Sequence, residues 1–253
     1  MKPLRLLVLL IVAAKLVAAA LAVELTVFAA ASLSDALKEL APRYTAVSGD
    51  TLRFNFAASG TLTRQIREGA PADIIFSADE LRVDQLEKAG LLRSGTRRTV
   101  LANSLVLVVN ATEPSPITTP QDLTGPNVHR LAIGDPATVP AGSYAKAYFE
   151  KLSLWTQLQT KIVALDNVRA VLAAVEAGNA DAGIVYKTDA LFSKKVKIAY
   201  EVPLADGPKI AYPAAVIKDS KQPEAARSLV AFFASAGAQA VFAKYGFLPP
   251  PAK

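Results

Sequence analysis

From Leu25 to Ser235, short apolar strands alternate with amphipathic helices. That alternation restricts the chain to α/β layers, each a doubly wound, mostly parallel sheet. Leu25 to Phe28 reads as a first strand. Leu33, Leu37, Leu40, Ala41 and Tyr44 then recur at helical spacing, with Pro42 predicted to disturb or shorten the helix. Leu52 to Phe56 alternates as a second strand, and a short helix carrying Leu62 and Ile66 stops at Gly69. Asp73 to Phe76 is a buried-type strand, and the helix carrying Leu81 and Leu86 is capped at Gly90. Leu105 to Val109 is the most apolar strand outside the N-terminal segment, and the Pro/Thr-rich stretch 113–120 reads as a surface connection. A second series follows: strand Leu131 to Gly134, a helix near Gly142 to Leu152, strand Lys161 to Val163, a helix from Val168 to Ala177, and strand Ala182 to Tyr186. Tyr212 to Ile217 alternates again before a helix from Glu224 to about Ser235. Two lobes are predicted, with 23–103 plus 218–253 as the first and 104–217 as the second. The crossings are placed near Asn103-Ser104 and near Lys218.

Residues 1–22 read as a cleavable signal peptide. Lys2 and Arg5 form a basic start, Leu6 to Val12 an apolar centre, and Ala20-Leu21-Ala22 a small-x-small cleavage site. Lys15 interrupts the apolar run, which argues against a membrane anchor of about 20 residues. The remaining 231 residues, in a chain that is 52% hydrophobic, suffice for two cores. There is no cysteine, so disulfides, thiolate metal sites and a lipid-modified cysteine are excluded, and a free periplasmic protein fits best. Loss of the leader removes Lys2, Arg5 and Lys15 and no acid, which lowers the net charge from +6 to +3. The remaining basic residues are scattered and form no footprint for nucleic acid.

The stretch Phe28-Ala29-Ala30-Ala31-Ser32-Leu33 is nearly repeated by Phe56-Ala57-Ala58-Ser59-Gly60-Thr61. Each leads out of a strand through small residues into a serine that opens a helix. A helix start presents unpaired N–H groups and a partial positive charge, so it can seat an anion. Ser32 to Asp35 also fits a capping box, and either serine could merely cap its own helix. Two such junctions after tiny residues favour one shared anionic ligand.

The second half supplies further helix starts at Val139 to Gly142 and at Asp166 to Arg169. Tyr186 ends an apolar strand, where open α/β sheets place their ligands. His129 is the only histidine and reads as an exposed loop residue. No Gly-x-Ser-x-Gly pattern surrounds Ser32 or Ser59, which leaves an exported serine hydrolase as a remote alternative. Asp73, Asp79, Asp135 and Asp181 lack the loop spacing of a cation cage and are read as caps, turns and hinge contacts.

In order and spacing these motifs resemble the periplasmic molybdate-binding proteins, the substrate-binding components of molybdate/tungstate ABC importers. The marks run from Val27 to Leu33, through Phe56 to Leu62, Gly69 to Asp73, Asn103 to Leu105, Gly134 to Pro136, Val139 to Lys146, Asn167 to Arg169 and Gly183 to Tyr186, to Lys244 to Phe247. The resemblance implies the two-lobed type II periplasmic binding protein fold with the ligand in the cleft. It implies capture of molybdate or tungstate and delivery to an inner-membrane permease with a separate ATPase, by a monomer that needs no cofactor and performs no catalysis. Carried over by motif, Ser32 and Ser59 donate from N–H and hydroxyl, Ala141 and Val168 from N–H, and Tyr186 from its phenol. Gly60 stands where a serine is often seen, which removes one accessory hydroxyl. If all five ligands donate, a protonated anion such as hydrogen phosphate finds no acceptor, and fully ionised dianions are favoured. A binding protein for sulfate or another tetrahedral oxyanion is the alternative within the same architecture.

Overall fold

Strand β1 (Glu24–Ala30) runs parallel between β2 (Thr51–Ala57) and β3 (Ile74–Phe76), and its side chains from Val27 onward are all buried. Burial on both faces explains why it reads as a continuous apolar run rather than an alternating one. In the computed structural model, which describes residues 22–112 and 114–250, this sheet is completed by β10 (Ile210–Val216) and β4 (Arg98–Asn103), in the order β2-β1-β3-β10-β4. The second sheet has the order β7-β6-β8-β5-β9, built from β5 (Leu105–Asn110), β6 (Leu131–Gly134), β7 (Ile162–Leu165), β8 (Ala182–Tyr186) and β9 (Val196–Glu201). The signal peptide predicted for 1–22 lies, except for Ala22, outside the described residues.

Four strands of each sheet point one way and one is reversed. The reversed strands, β5 and β10, are the two that arrive from the other lobe. The first crossing is a single residue, Ser104, between β4 and β5. The second lies between Glu201 and Ile210, not near Lys218, because β10 pairs with β3 and β4 and so belongs to the first lobe. All seven of its residues are buried. A strand buried on both faces carries no mark of which sheet receives it, and the prediction misplaced it for that reason.

Helices cover the sheets: α1 (Ser34–Ser48), α2 (Ser59–Arg67), α3 (Glu80–Lys88), α4 (Pro140–Lys151), the single turn α5 (Trp155–Leu158), α6 (Val168–Glu176), α7 (Lys187–Phe192), α8 (Pro223–Phe233) and α9 (Ala236–Lys244). Contrary to expectation, α1 continues through Pro42 to Ser48. Pro42 and Lys38, whose carbonyl loses its partner, both face solvent, so water can satisfy that oxygen. Leu37, Leu40 and Tyr44 hold the opposite face in the core. The C-terminal helices return to the first sheet, where Phe233 and Phe242 pack on Phe76 with ring centroids 5.1 and 6.2 Å apart.

Candidate anion-binding site

The register of β1 and β2 puts the two Ala/Ser junctions side by side. Ala30 pairs with Ala57 at the carboxyl ends of the two parallel strands. Ser32 then falls in a short 3₁₀ turn (Ala31–Leu33) that leads into α1, and Ser59 is the first residue of α2. On the facing lobe, β6 ends at Gly134 and α4 begins at Pro140, whose missing N–H is tolerated in a first turn. Ala141 follows it. A Cβ on Gly142 would stand 1.8 Å from the Gly134 carbonyl oxygen, so only glycine lets α4 start this close to its strand. Asn167 caps α6 by accepting the Ala170 N–H at 3.0 Å, which leaves the Val168 N–H at the open end of the helix.

Ser32, Ser59, Ala141, Val168 and Tyr186 all line one narrow cavity between the lobes. Among the described residues no charged side chain lines it. Ala30, Ala31, Ala57, Ala58 and Ala78 form much of the wall, and their small size lets backbone come up to the space. The N–H groups of Ser32, Ser59, Ala141 and Val168 find no backbone acceptor among the described residues, as expected for first-turn groups. A wider hollow, next to Arg53 and Phe54 on the outer edge of the first sheet, gathers no helix starts among the described residues.

Neither serine caps its own helix, so the capping box expected at Ser32 to Asp35 does not form. The hydroxyls are used elsewhere. Ser59 Oγ accepts the Ala78 N–H at 2.9 Å, and Ser32 Oγ lies 3.0 Å from the Tyr212 hydroxyl. Asp35 instead reaches across the cleft to Arg169, 2.7 Å away. Tyr186 is buried at the end of β8, and its hydroxyl has no hydrogen-bond partner among the described residues. Burial, reinforced by Tyr212, Tyr144, Asp79 and Asp189, pushes this phenol well above its ordinary pKa. It stays protonated and stands ready to donate.

Several contacts join the lobes around the cavity. Gly60 N–H donates to the Thr138 carbonyl at 3.0 Å, and Arg82 Nη2 donates to the Ala137 carbonyl at 2.5 Å. Arg169 stands between Asp35 and the fully buried Asp189, with Nε 2.6 Å from Asp189 Oδ1 in a close charge contact not aligned for a hydrogen bond. Burial lifts Asp189 to about 6 against the opposing pull of Arg169. No local sequence signal marks the roles of Gly60, Arg82, Asn103 and Tyr212, because the groups they touch lie far away in the chain.

The four aspartates read as caps and turns each accept backbone N–H groups. Asp73 takes Thr26, Asp79 takes Arg82, Asp135 takes Ala137, and Asp181 takes His129 and Arg130. His129 is exposed. Among the described residues no group of three or more His, Cys, Asp or Glu side chains could hold a metal ion.

A cleft of neutral donors between two lobes is the arrangement of a solute-binding protein, and comparison with known proteins agrees. The model of the bacterial extracellular solute-binding protein family matches residues 25–248. The chain belongs to that family. It is 42% identical over 226 residues to the putative ABC transporter substrate-binding lipoprotein YvgL of Bacillus subtilis, covering 89% of this chain and 86% of that one. It is 38% identical over 228 residues to the molybdate-binding protein ModA of Escherichia coli, covering 88% of each. Among solved structures, the substrate binding domain of a putative molybdenum ABC transporter from Clostridium difficile superposes with a TM-score of 0.70 at 36% identity, over 91% of this chain and all of that one. The periplasmic molybdate-binding protein of Azotobacter vinelandii gives a TM-score of 0.80 at 24% identity, over 90% of this chain and all of that one. The fold is that of the type II periplasmic binding proteins, and the family is one of solute binders.

Proposed function

We propose that this protein captures molybdate, and tungstate, outside the cytoplasmic membrane and delivers it to an ABC permease driven by a separate ATPase. The observation that carries the reading is the Tyr186 phenol, buried and unpartnered in a cavity where four free helix-start N–H groups converge. A buried donor without an acceptor is costly unless a ligand supplies one. In this reading Ser32 and Ser59 hold the oxyanion from the first lobe, and Ala141, Val168 and Tyr186 from the second. The relatives named for molybdate or molybdenum support the choice of anion.

Neutral donors suit the task. A guanidinium in the cavity would itself have to be desolvated on closure, whereas oriented amides are in place before the anion arrives. Each hydrogen bond to the charged oxygens contributes about 1.5–3 kcal/mol, so five residues suffice for tight binding after the costs of closure. A site whose groups all donate also disfavours an anion that carries a proton of its own. The protein acts as a binder without catalysis and as an exported monomer. It has no cysteine to take a lipid, unlike a lipoprotein relative.

Isothermal titration tests the reading. Molybdate and tungstate are expected to bind far more tightly than sulfate or phosphate, and equal affinity for sulfate would overturn the assignment.

A further inference from the structure

An N–H group can only donate, but a hydroxyl can turn and accept. A cavity that is to reject protonated anions must therefore control its hydroxyls. Ser59 is oriented simply: its oxygen accepts the Ala78 N–H, which turns its own proton away from that group and toward the cavity it lines. Tyr186 has one proton to place and no acceptor for it among the described residues.

Ser32 is controlled by a longer chain. The Asn103 side-chain oxygen accepts the Ser104 N–H at 2.9 Å, which fixes the orientation of the amide. Its nitrogen must then donate, and it lies 3.0 Å from Thr188 Oγ1 and 3.2 Å from the Tyr212 hydroxyl. Tyr212 is fully buried, and burial raises its pKa, so it keeps its proton. With Asn103 donating to it, the Tyr212 oxygen has a proton whose one acceptor among the described residues is Ser32 Oγ, 3.0 Å away. The opposite direction would leave that proton buried and unpaired. Ser32 therefore accepts from Tyr212 and turns its own proton to the cavity, which it lines.

We propose that Tyr212 and Asn103 are positioning residues that hold the Ser32 hydroxyl as a donor and thereby set discrimination between fully ionised and protonated anions. The proposal rests on the anion-binding reading above. It also ties that discrimination to the crossing between the lobes, because Asn103 ends β4 and Thr188 stands on α7 of the second lobe.

The test uses the whole exported chain and the variants Tyr212→Phe, Ser32→Ala and their combination, titrated with molybdate and, by displacement, with inorganic phosphate at neutral pH. Tyr212→Phe keeps the ring against Tyr186 and Phe247, at centroid distances of 5.8 and 5.4 Å, so the fold is retained and checked by thermal melting. With Tyr212 silenced, Ser32 can turn to accept a phosphate proton, and the molybdate-over-phosphate ratio is expected to fall about tenfold. In the Ser32→Ala background the same substitution is expected to leave the ratio unchanged, since its effect passes through Ser32. An unchanged ratio in Tyr212→Phe, or an equal fall with and without Ser32, would overturn the relay while molybdate binding by the parent chain stands. A parent chain that binds no molybdate would overturn the anion reading and the relay together.

Discussion

Replacing Gly60 by alanine separates binding from folding. A Cβ at this position would lie 2.4 Å from the Thr138 carbonyl oxygen and 3.0 Å from both its carbonyl carbon and its Cα. Those are backbone atoms, with no side chain to rotate away, so the lobes must part by about 1 Å at this point to restore van der Waals contact. Hydrogen bonds from Ala141 and Val168 to an anion seated on Ser32 and Ser59 would stretch by a similar amount, beyond bonding distance. Losing two bonds to a charged oxygen costs about 3–6 kcal/mol, a rise of at least a hundredfold in Kd. Gly60 has no positive φ and lies in the first turn of α2, so the unliganded chain should tolerate alanine and gain up to about 1 kcal/mol of helix stability. Titration calorimetry and thermal melting with and without molybdate read the two effects. Expected are a melting temperature at or above that of the parent without ligand and a sharply reduced upward shift with it. A Kd within twofold of the parent would refute the reasoning.

Tyr186→Phe removes a hydroxyl that has no hydrogen-bond partner among the described residues, so the unliganded chain should melt as before while molybdate affinity falls about tenfold or more by calorimetry. Ser59→Ala is the contrast: it strands the buried Ala78 N–H, and the unliganded chain should lose about 1–3 kcal/mol in chemical denaturation as well as binding more weakly. Asp35→Asn breaks a partly exposed ion pair to Arg169 across the cleft, so affinity should drop by less than about tenfold and the difference should shrink in high salt. Burial holds Asp189 at about 6 against an ordinary 3.8, so the folded chain binds this proton more tightly than the unfolded one. Its contribution to stability is complete below about 4 and is lost as pH rises through 6. The stability of the parent relative to Asp189→Asn should therefore increase as pH falls from 8 to 5, and a trend of the opposite sign in paired melts would refute the assignment.

The parts of the fold legible in the sequence are those that local chemistry decides. Strand β1 is apolar throughout, α2 and α6 show helical spacing, and the residues lining the cavity sit at strand ends and helix starts that small side chains and caps mark out. Strand β10 shows where legibility stops. Its residue pattern marks a strand, but a fully buried strand suits either sheet, and only pairing with β3 and β4 decides. Pro42 shows the other limit, because a helix held by Leu37, Leu40 and Tyr44 survives one missing hydrogen bond on its wet face. Ser32 and Ser59 looked like caps for the same local reason. Their true partners, Tyr212 and the Ala78 N–H, lie 180 and 19 residues away, and no local pattern points to them.

The charges near the cleft complete the physical picture. Arg82 and Arg169 both bridge the lobes, yet neither lines the cavity. Had either cation faced the anion, closure would bury an ion pair whose desolvation offsets much of its attraction, and release to a permease would have to separate opposite charges in a dry cleft. Placed one layer out, the two arginines hold the lobes together through a carbonyl and a carboxylate. In the proposed site the anion would meet oriented N–H and O–H groups alone. Binding and closure thus rest on different residues, so a change at Asp35 should alter how readily the cleft shuts without altering which anion it selects, whereas a change at Tyr212 should do the reverse.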